Sequence, residues 1–313
     1  MHRPPVTISA PPARPATRAG AALTALAVTV LWSSSWVLIR IGLDDEALEP
    51  ITFAGLRYGL AAALLLAWMG RSKSARATLA DVVRRRRRQL VLLGLGFYAL
   101  TQGAQFVAID HQPAATTSLV LSLTPLAVAV ASSRALGEAA ERRQIAGALL
   151  VVAGAATYFA GDLGATAIGL VAAGVALASN AASALLGRHV NRGLDASPVA
   201  VTAASMTVGA LVLLAVGLAV EGWPTLSATA VLIIVWLAIV NTAVAFTLWN
   251  AALRRLSAVE SAGINNTMLV QIAFLAWIFL GEAPGAAGLV GIAVVSIGIY
   301  LTQRAALEPR GHR

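Results

Sequence analysis

The chain has 313 residues and is 58% hydrophobic, 12% charged and only 6% aromatic, with no Cys, four His and a formal net charge of +9. That balance excludes a disordered chain, whose hydrophobicity must be low, and argues against an ordinary soluble enzyme, whose surface so few charges would not cover. It leaves a polytopic membrane protein with no room for a large soluble domain, since about ten spans of ~20 residues would take roughly two-thirds of the chain.

Residues 1–19 are Pro-rich and carry Arg3, Arg14 and Arg18. They read as a disordered cytoplasmic tail. The alternative is a cleavable signal peptide, but the apolar run 20–41 is long for one and no small-residue cleavage site follows it. Ten apolar segments are expected, at about 20–41, 50–69, 89–109, 114–134, 144–161, 166–188, 197–219, 228–250, 258–279 and 285–303. Each is long enough to span as a helix, and none shows the period-2 alternation of a barrel strand. The predicted fold class is therefore all-α, a membrane protein of ten transmembrane helices. The fourth and ninth segments are the most polar.

The basic residues orient this array. Arg71, Lys73, Arg76 and the five-arginine run 84–88 fall between the second and third segments. If that loop is cytoplasmic, counting spans places both termini inside. The same count puts Arg134, Arg142, Arg143, Arg188, Arg192, Arg254, Arg255, Arg304, Arg310 and Arg313 on the same side. The outer loops then hold Asp44, Asp45, Glu46, Glu49, Asp110, Asp162 and Glu221, so the pattern is positive-inside. The high positive charge reports orientation in an inner membrane rather than a nucleic-acid partner. The arginine run is a topology anchor, or a contact for anionic membrane lipids.

An internal repeat divides the chain. Leu136-Gly137-Glu138 recurs as Leu280-Gly281-Glu282, and the glycines that follow, Gly147 and Gly154, match Gly291 and Gly298. Without gaps, Ala108 aligns with Ala252 and Ala114 with Ala258; farther upstream Arg40 aligns with Arg188 and Pro50 with Pro198. The halves span 20–161 and 166–303, before a cytoplasmic tail at 304–313. Five spans per half make the copies inverted, an architecture of secondary transporters with the solute site near the midplane. The repeated Glu is a helix-start carboxylate, or a group that handles substrate or protons. The glycines let helices approach closely.

These pieces resemble the EamA family of the drug/metabolite transporter superfamily. The resemblance rests on Leu31-Trp32-Ser33-Ser34-Ser35-Trp36, Leu56-Arg57-Tyr58, Gln112-Pro113-Ala114-Ala115, Leu123-Thr124-Pro125 and the two Leu-Gly-Glu segments. It covers about residues 20–303 and implies two tandem five-helix domains that export or exchange amino acids and small metabolites. The ninth span departs from the pattern: Leu269 stands where the first half has Pro125, and Asn265-Asn266-Thr267 replaces a more apolar stretch, so a kink is not expected from proline there.

A carrier needs polar groups that face a cavity rather than lipid. Tyr98, Gln102 and Gln105 share one helical face by spacing, and their repeat counterparts are Thr242, Phe246 and Trp249. Trp32, Ser35, Trp36, Thr117, Ser118, Ser122, Asn180, Ser183, Ser261, Asn265 and Asn266 complete the candidate substrate-binding set. Amides and hydroxyls can bind an ammonium and a carboxylate, and aromatic faces suit cations or apolar groups. The same residue types also serve as interhelical glue. Arg57, about seven residues into the second span, is the costliest residue to bury; it either meets a substrate carboxylate or has a structural or gating role. Glu260 is the nearest thing to an intramembrane carboxylate, with Arg254 and Arg255 as neighbours for an ion pair. Proton coupling, counter-substrate exchange and facilitated diffusion all stay open. The absence of Cys excludes disulfides and Cys-based metal or redox sites, the His residues lack ligand spacing, and no cofactor or metal is called for. The competing classes are a membrane-embedded enzyme, for which no catalytic motif is present, and a non-transporting scaffold or sensor.

Overall fold

A computed structural model describes residues 17–112, 117, 120–136, 142–158, 165–191, 197–280 and 285–307, and every regular element among them is helical. Both termini, Gly137, Glu138, Gly281 and Glu282 lie outside the described residues.

Local chemistry sets many of the boundaries. Helix α1 (Arg18–Arg40) continues through a wide turn at Ile41–Asp45, and α2 (Pro50–Gly70) begins on Pro50, whose missing N–H and fixed φ suit a first helical position. Helix α3 (Lys73–Leu93) is capped by the Ser72 hydroxyl, which accepts from the Ala75 amide. It runs through Gly94–Leu100 into α4 (Thr101–His111). After α5 (Thr124–Leu136), α6 (Arg142–Tyr158) and α7 (Ala167–Asn191), Ser197 and Pro198 open α8 (Pro198–Val220) in the same way. Helix α9 (Ala228–Ala238) passes through Ile239–Val244 into α10 (Ala245–Ala252), followed by α11 (Ala258–Asn265), α12 (Thr267–Leu280) and α13 (Ala286–Leu307).

The irregularities recur at matching places. Gly94–Leu100 and Ile239–Val244 are both wide π-type turns, where i→i+5 bonds replace the usual α-helical ones. In the alignment that pairs Ala108 with Ala252 they coincide. The chain also leaves the helix at Ser122 and Leu123, just before α5, and again at Asn266, between α11 and α12. The second break occurs without proline. Asn266 keeps a near-helical backbone, with φ −68° and ψ −11°, and its side chain donates to the Ser122 carbonyl at 3.1 Å. An amide that bonds outside its own helix compensates for the interrupted ladder, so the ninth segment is broken even though Leu269 replaces a proline.

Among the described residues four helices are long and apolar enough to cross a membrane: Pro50–Gly70, Ala167–Asn191, Pro198–Val220 and Ala228–Ala252. Their outer faces carry large apolar side chains such as Val171, Leu211, Leu232 and Trp236, all more than half exposed. Such a surface fits lipid rather than water.

Glycines set the closest helix contacts. A methyl built on Gly154 of α6 would fall 2.6 Å from the Val295 amide nitrogen of α13, and one on Gly291 would fall 2.7 Å from the Gly154 carbonyl oxygen. A methyl on Gly298 would fall 2.5 Å from the Gly147 carbonyl. Since 147 meets 298 and 154 meets 291, these helices run antiparallel with backbone against backbone. Helices α2 and α8 do the same: a methyl on Gly217 would strike the Thr52 amide at 2.7 Å, and Gly55 abuts Leu214. The Glu221 carboxylate then caps α2, accepting from the Ile51 and Thr52 amides at 3.0 and 2.7 Å. A carboxylate there is favoured by the helix dipole and satisfies two orphan donors.

Candidate functional site

A cavity of about 220 Å³ is lined by residues from both copies of the repeat. One wall is aromatic. The Trp32 ring lies 4.8 Å from Phe246 and 5.0 Å from Trp249, centroid to centroid. Its indole N–H donates to the Asn241 carbonyl at 3.1 Å. Ser35, also on this wall, donates to the Trp32 carbonyl at 2.6 Å, and the Trp36 side chain lies outside the described residues.

A second wall is amide. Gln102, Gln105, Asn180 and Asn265 all face the cavity. Asn180 reaches Thr124 Oγ1 only at 3.5 Å. Gln102, Gln105 and Asn265 make no side-chain hydrogen bond among the described residues, so their polar atoms are available to the cavity. Ser183, Ser261 and Ser122 join this lining, with Asn266 bonded to the Ser122 carbonyl.

Arg57 also borders the cavity. It is 7% exposed, and its Nε donates to Thr242 Oγ1 at 2.7 Å. One terminal nitrogen reaches the Asn241 carbonyl at 3.4 Å, and the guanidinium carbon sits 5.2 Å from the Tyr58 ring centroid. Asn241 and Thr242 belong to the wide turn at Ile239–Val244, which is bonded to α1: the Asn241 amide donates to the Leu31 carbonyl, and to Ser34 Oγ at 3.3 Å. The irregular turn therefore supplies the acceptors that hold the guanidinium and the indole.

Other expected residues sit elsewhere. Tyr98 does not line the cavity; it is fully buried against Tyr58, Phe97 and Phe246, with centroids 5.7, 5.4 and 5.1 Å away. The wide turn at Gly94–Leu100 changes the helical phase between Tyr98 and Gln102, so spacing that assumes a regular α-helix puts them on one face and the real backbone does not. Thr117 is buried away from the cavity and accepts from Gln112 Nε2 at 3.0 Å, while Ser118 lies outside the described residues. Glu260 is 2% exposed and does not line the cavity. It forms a capping box with Ser257 and an ion pair with Arg18 of α1.

Sequence reasoning missed Asn250. Its Oδ1 accepts from Asn191 at 2.8 Å, its Nδ2 donates to Thr202 at 2.9 Å, and it borders the cavity. Its signal was available: a large amide inside an apolar span, next to Trp249. Asn241 carried the same signal.

The EamA-like transporter family model matches residues 19–160 and again residues 167–304. A probable terminal-alkyne amino-acid exporter of Streptantibioticus cattleyicolor is 30% identical over 92% of this chain and 95% of its own length. A probable amino-acid metabolite efflux pump of Salmonella typhimurium is 26% identical over 88% of this chain and 92% of its own. A solved crystal structure superposes with a TM-score of 0.77 at 21% identity, covering 93% of this chain and 98% of that one, which shows the shared fold. With two matches to the family model that together take in most of its length, the chain is a multi-pass membrane protein that belongs to the EamA-like transporter family.

Proposed function

We propose that this protein is a secondary transporter that exports or exchanges amino acids or related small metabolites across the cytoplasmic membrane by alternating access. The observation that carries the reading is the cavity itself, walled by both repeats and lined by neutral amides, aromatic faces and one guanidinium. The two relatives, named a probable amino-acid exporter and a probable amino-acid metabolite efflux pump, support the solute class.

In this reading ten spans form two inverted five-helix repeats, with both termini cytoplasmic. The crossed glycine contacts support inversion. When residue i of one copy meets j of the other, and j meets i, a local two-fold axis relates them. Because the matched helices are antiparallel, that axis lies across them, in the plane of the membrane. Helix breaks at Ser122 and Asn266, next to the cavity, are the discontinuities such carriers use near the midplane.

The test is counterflow in proteoliposomes, with a panel of labelled amino acids on one side and unlabelled ones on the other. Saturable exchange of a subset is expected. No exchange across the panel, together with termini on opposite membrane faces by reporter fusion, overturns the reading; chemical conversion of a solute without translocation would favour the membrane-embedded enzyme.

A further inference from the structure

Arg57 is the one permanent cation on the cavity wall among the described residues, and no carboxylate lines that wall. The nearest candidate by sequence, Glu260, is engaged by Arg18 and by the cap of α11. A guanidinium carries five N–H donors in a fixed fork. Here one is held by Thr242 and a second reaches Asn241 only at 3.4 Å, which leaves three without an acceptor among the described residues. A buried charge with neutral partners only is costly, and pairing it with an anion removes most of that cost. The remainder of the wall offers a cation only neutral partners, amide and hydroxyl oxygens and ring faces.

From this asymmetry we infer that Arg57 recognises a solute carboxylate, and that the cavity takes small zwitterions or monocarboxylates and discriminates against solutes of net positive charge. The inference rests on the transport reading for its biological sense but not for its test. Thr242 and the Asn241 carbonyl orient the fork from behind, so its open edge serves the ligand. Gln102, Gln105 and Asn265, with no protein partner of their own among the described residues, can meet an ammonium, while Trp32 and Trp249 pack on an apolar side chain. The volume, about 220 Å³, falls below the ~300–1,000 Å³ typical of drug-sized sites, so size and charge select together.

The experiment measures equilibrium binding to the purified full chain in detergent by intrinsic tryptophan fluorescence, since Trp32 and Trp249 border the cavity. The probes are matched sets: apolar L-amino acids such as leucine and phenylalanine, their decarboxylated amines, their amides, and the carboxylic acids that lack the amino group. Compounds with a carboxylate are expected to bind at least about tenfold more tightly than the matched amine or amide, as a charge-assisted bidentate pair would give. Arg57→Gln is expected to erase that preference, and Arg57→Lys to keep it at lower affinity, because an ammonium retains the charge but loses the fork. If Arg57→Gln fails to fold, the wild-type comparison decides alone. Equal binding of amine and acid, binding of no carboxylate in the panel, or an unchanged preference in a folded Arg57→Gln protein overturns the inference. Carboxylate-selective binding with no counterflow upholds this site and overturns the transport reading instead.

Discussion

Gly154 and Gly298 stand at matching places in the two repeats, and so do Gln102 and Phe246. The glycines are the same residue doing the same thing, each pressed against the backbone of the opposite helix. The second pair shares nothing chemically: one is an amide with open hydrogen-bonding capacity and the other an aromatic ring, and both line the cavity. Arg57 shows the same divergence. The alignment that pairs Pro50 with Pro198 sets it opposite Ser205, which is fully buried and bonded to the Val201 carbonyl at 2.7 Å. Backbone packing tolerates only the smallest side chain, so both copies keep it. A ligand that has two different ends needs two different walls, and so the copies diverge at the cavity.

The largest effect is expected where the repeats agree. Gly154→Val places bulk against the Val295 amide and should cost about 3 kcal/mol of stability or prevent folding, because no side chain can move out of the way. Gly174 in α7 has open space for at least 4 Å around the place a methyl would take, so Gly174→Ala should be neutral or stabilising by roughly 0.5–1 kcal/mol. Thermal unfolding in detergent checks the pair. Similar losses for both would break the distinction between backbone contact and ordinary helix glycine.

A smaller effect sharpens the other side of the comparison. Asn250→Ala removes buried hydrogen bonds to Asn191 and Thr202 and should lower stability by about 1–3 kcal/mol, whereas Gln102→Ala should stay within ~0.5 kcal/mol of the parent while it lowers solute binding. If Gln102→Ala destabilises as much as Asn250→Ala, Gln102 is interhelical glue after all.

The smallest effect lies outside the membrane, on α3, where only one copy has a polar extension. Asp81 receives bonds from Arg85 at 2.7 Å and Arg84 at 3.2 Å, and these guanidiniums hold its carboxyl below the ordinary carboxylate value. Its folded pKa is thus lower than its unfolded one. The contribution to stability is complete above the unfolded value and fades as pH falls through the folded one. Because water reaches the carboxylate and screens the pair, Asp81→Asn should shift the unfolding midpoint only slightly at neutral pH and not at all in acid. A shift that grows as pH falls would contradict this.

The helical fold and its two repeats were legible in the sequence because apolar spans and paired glycines each report a strong physical constraint. Trp32, Gln102, Gln105, Asn180, Trp249 and Asn265 were legible as cavity-lining residues because polar or aromatic bulk inside an apolar span needs somewhere to go. What spacing could not reveal was helical phase. Tyr98 is separated from Gln102 by the end of a wide turn, which contains Gly94 and Gly96 but no proline, and two glycines alone do not fix a helical phase. Nor could local sequence find Arg18 as the partner of Glu260, since the two are 242 residues apart and meet only through the fold.

The glycine crossing also bears on how such a molecule could move. Side-chain contacts can creep, because rotamers adjust by degrees. The α6–α13 contact brings peptide groups together at Gly147, Gly154, Gly291 and Gly298, with side-chain atoms of Leu150 and Val295 close beside them, so a small slide drives side chains into backbone. These two helices therefore cannot slide past each other in small steps. A pair locked in this way is suited to serve as a fixed post about which other helices can swing.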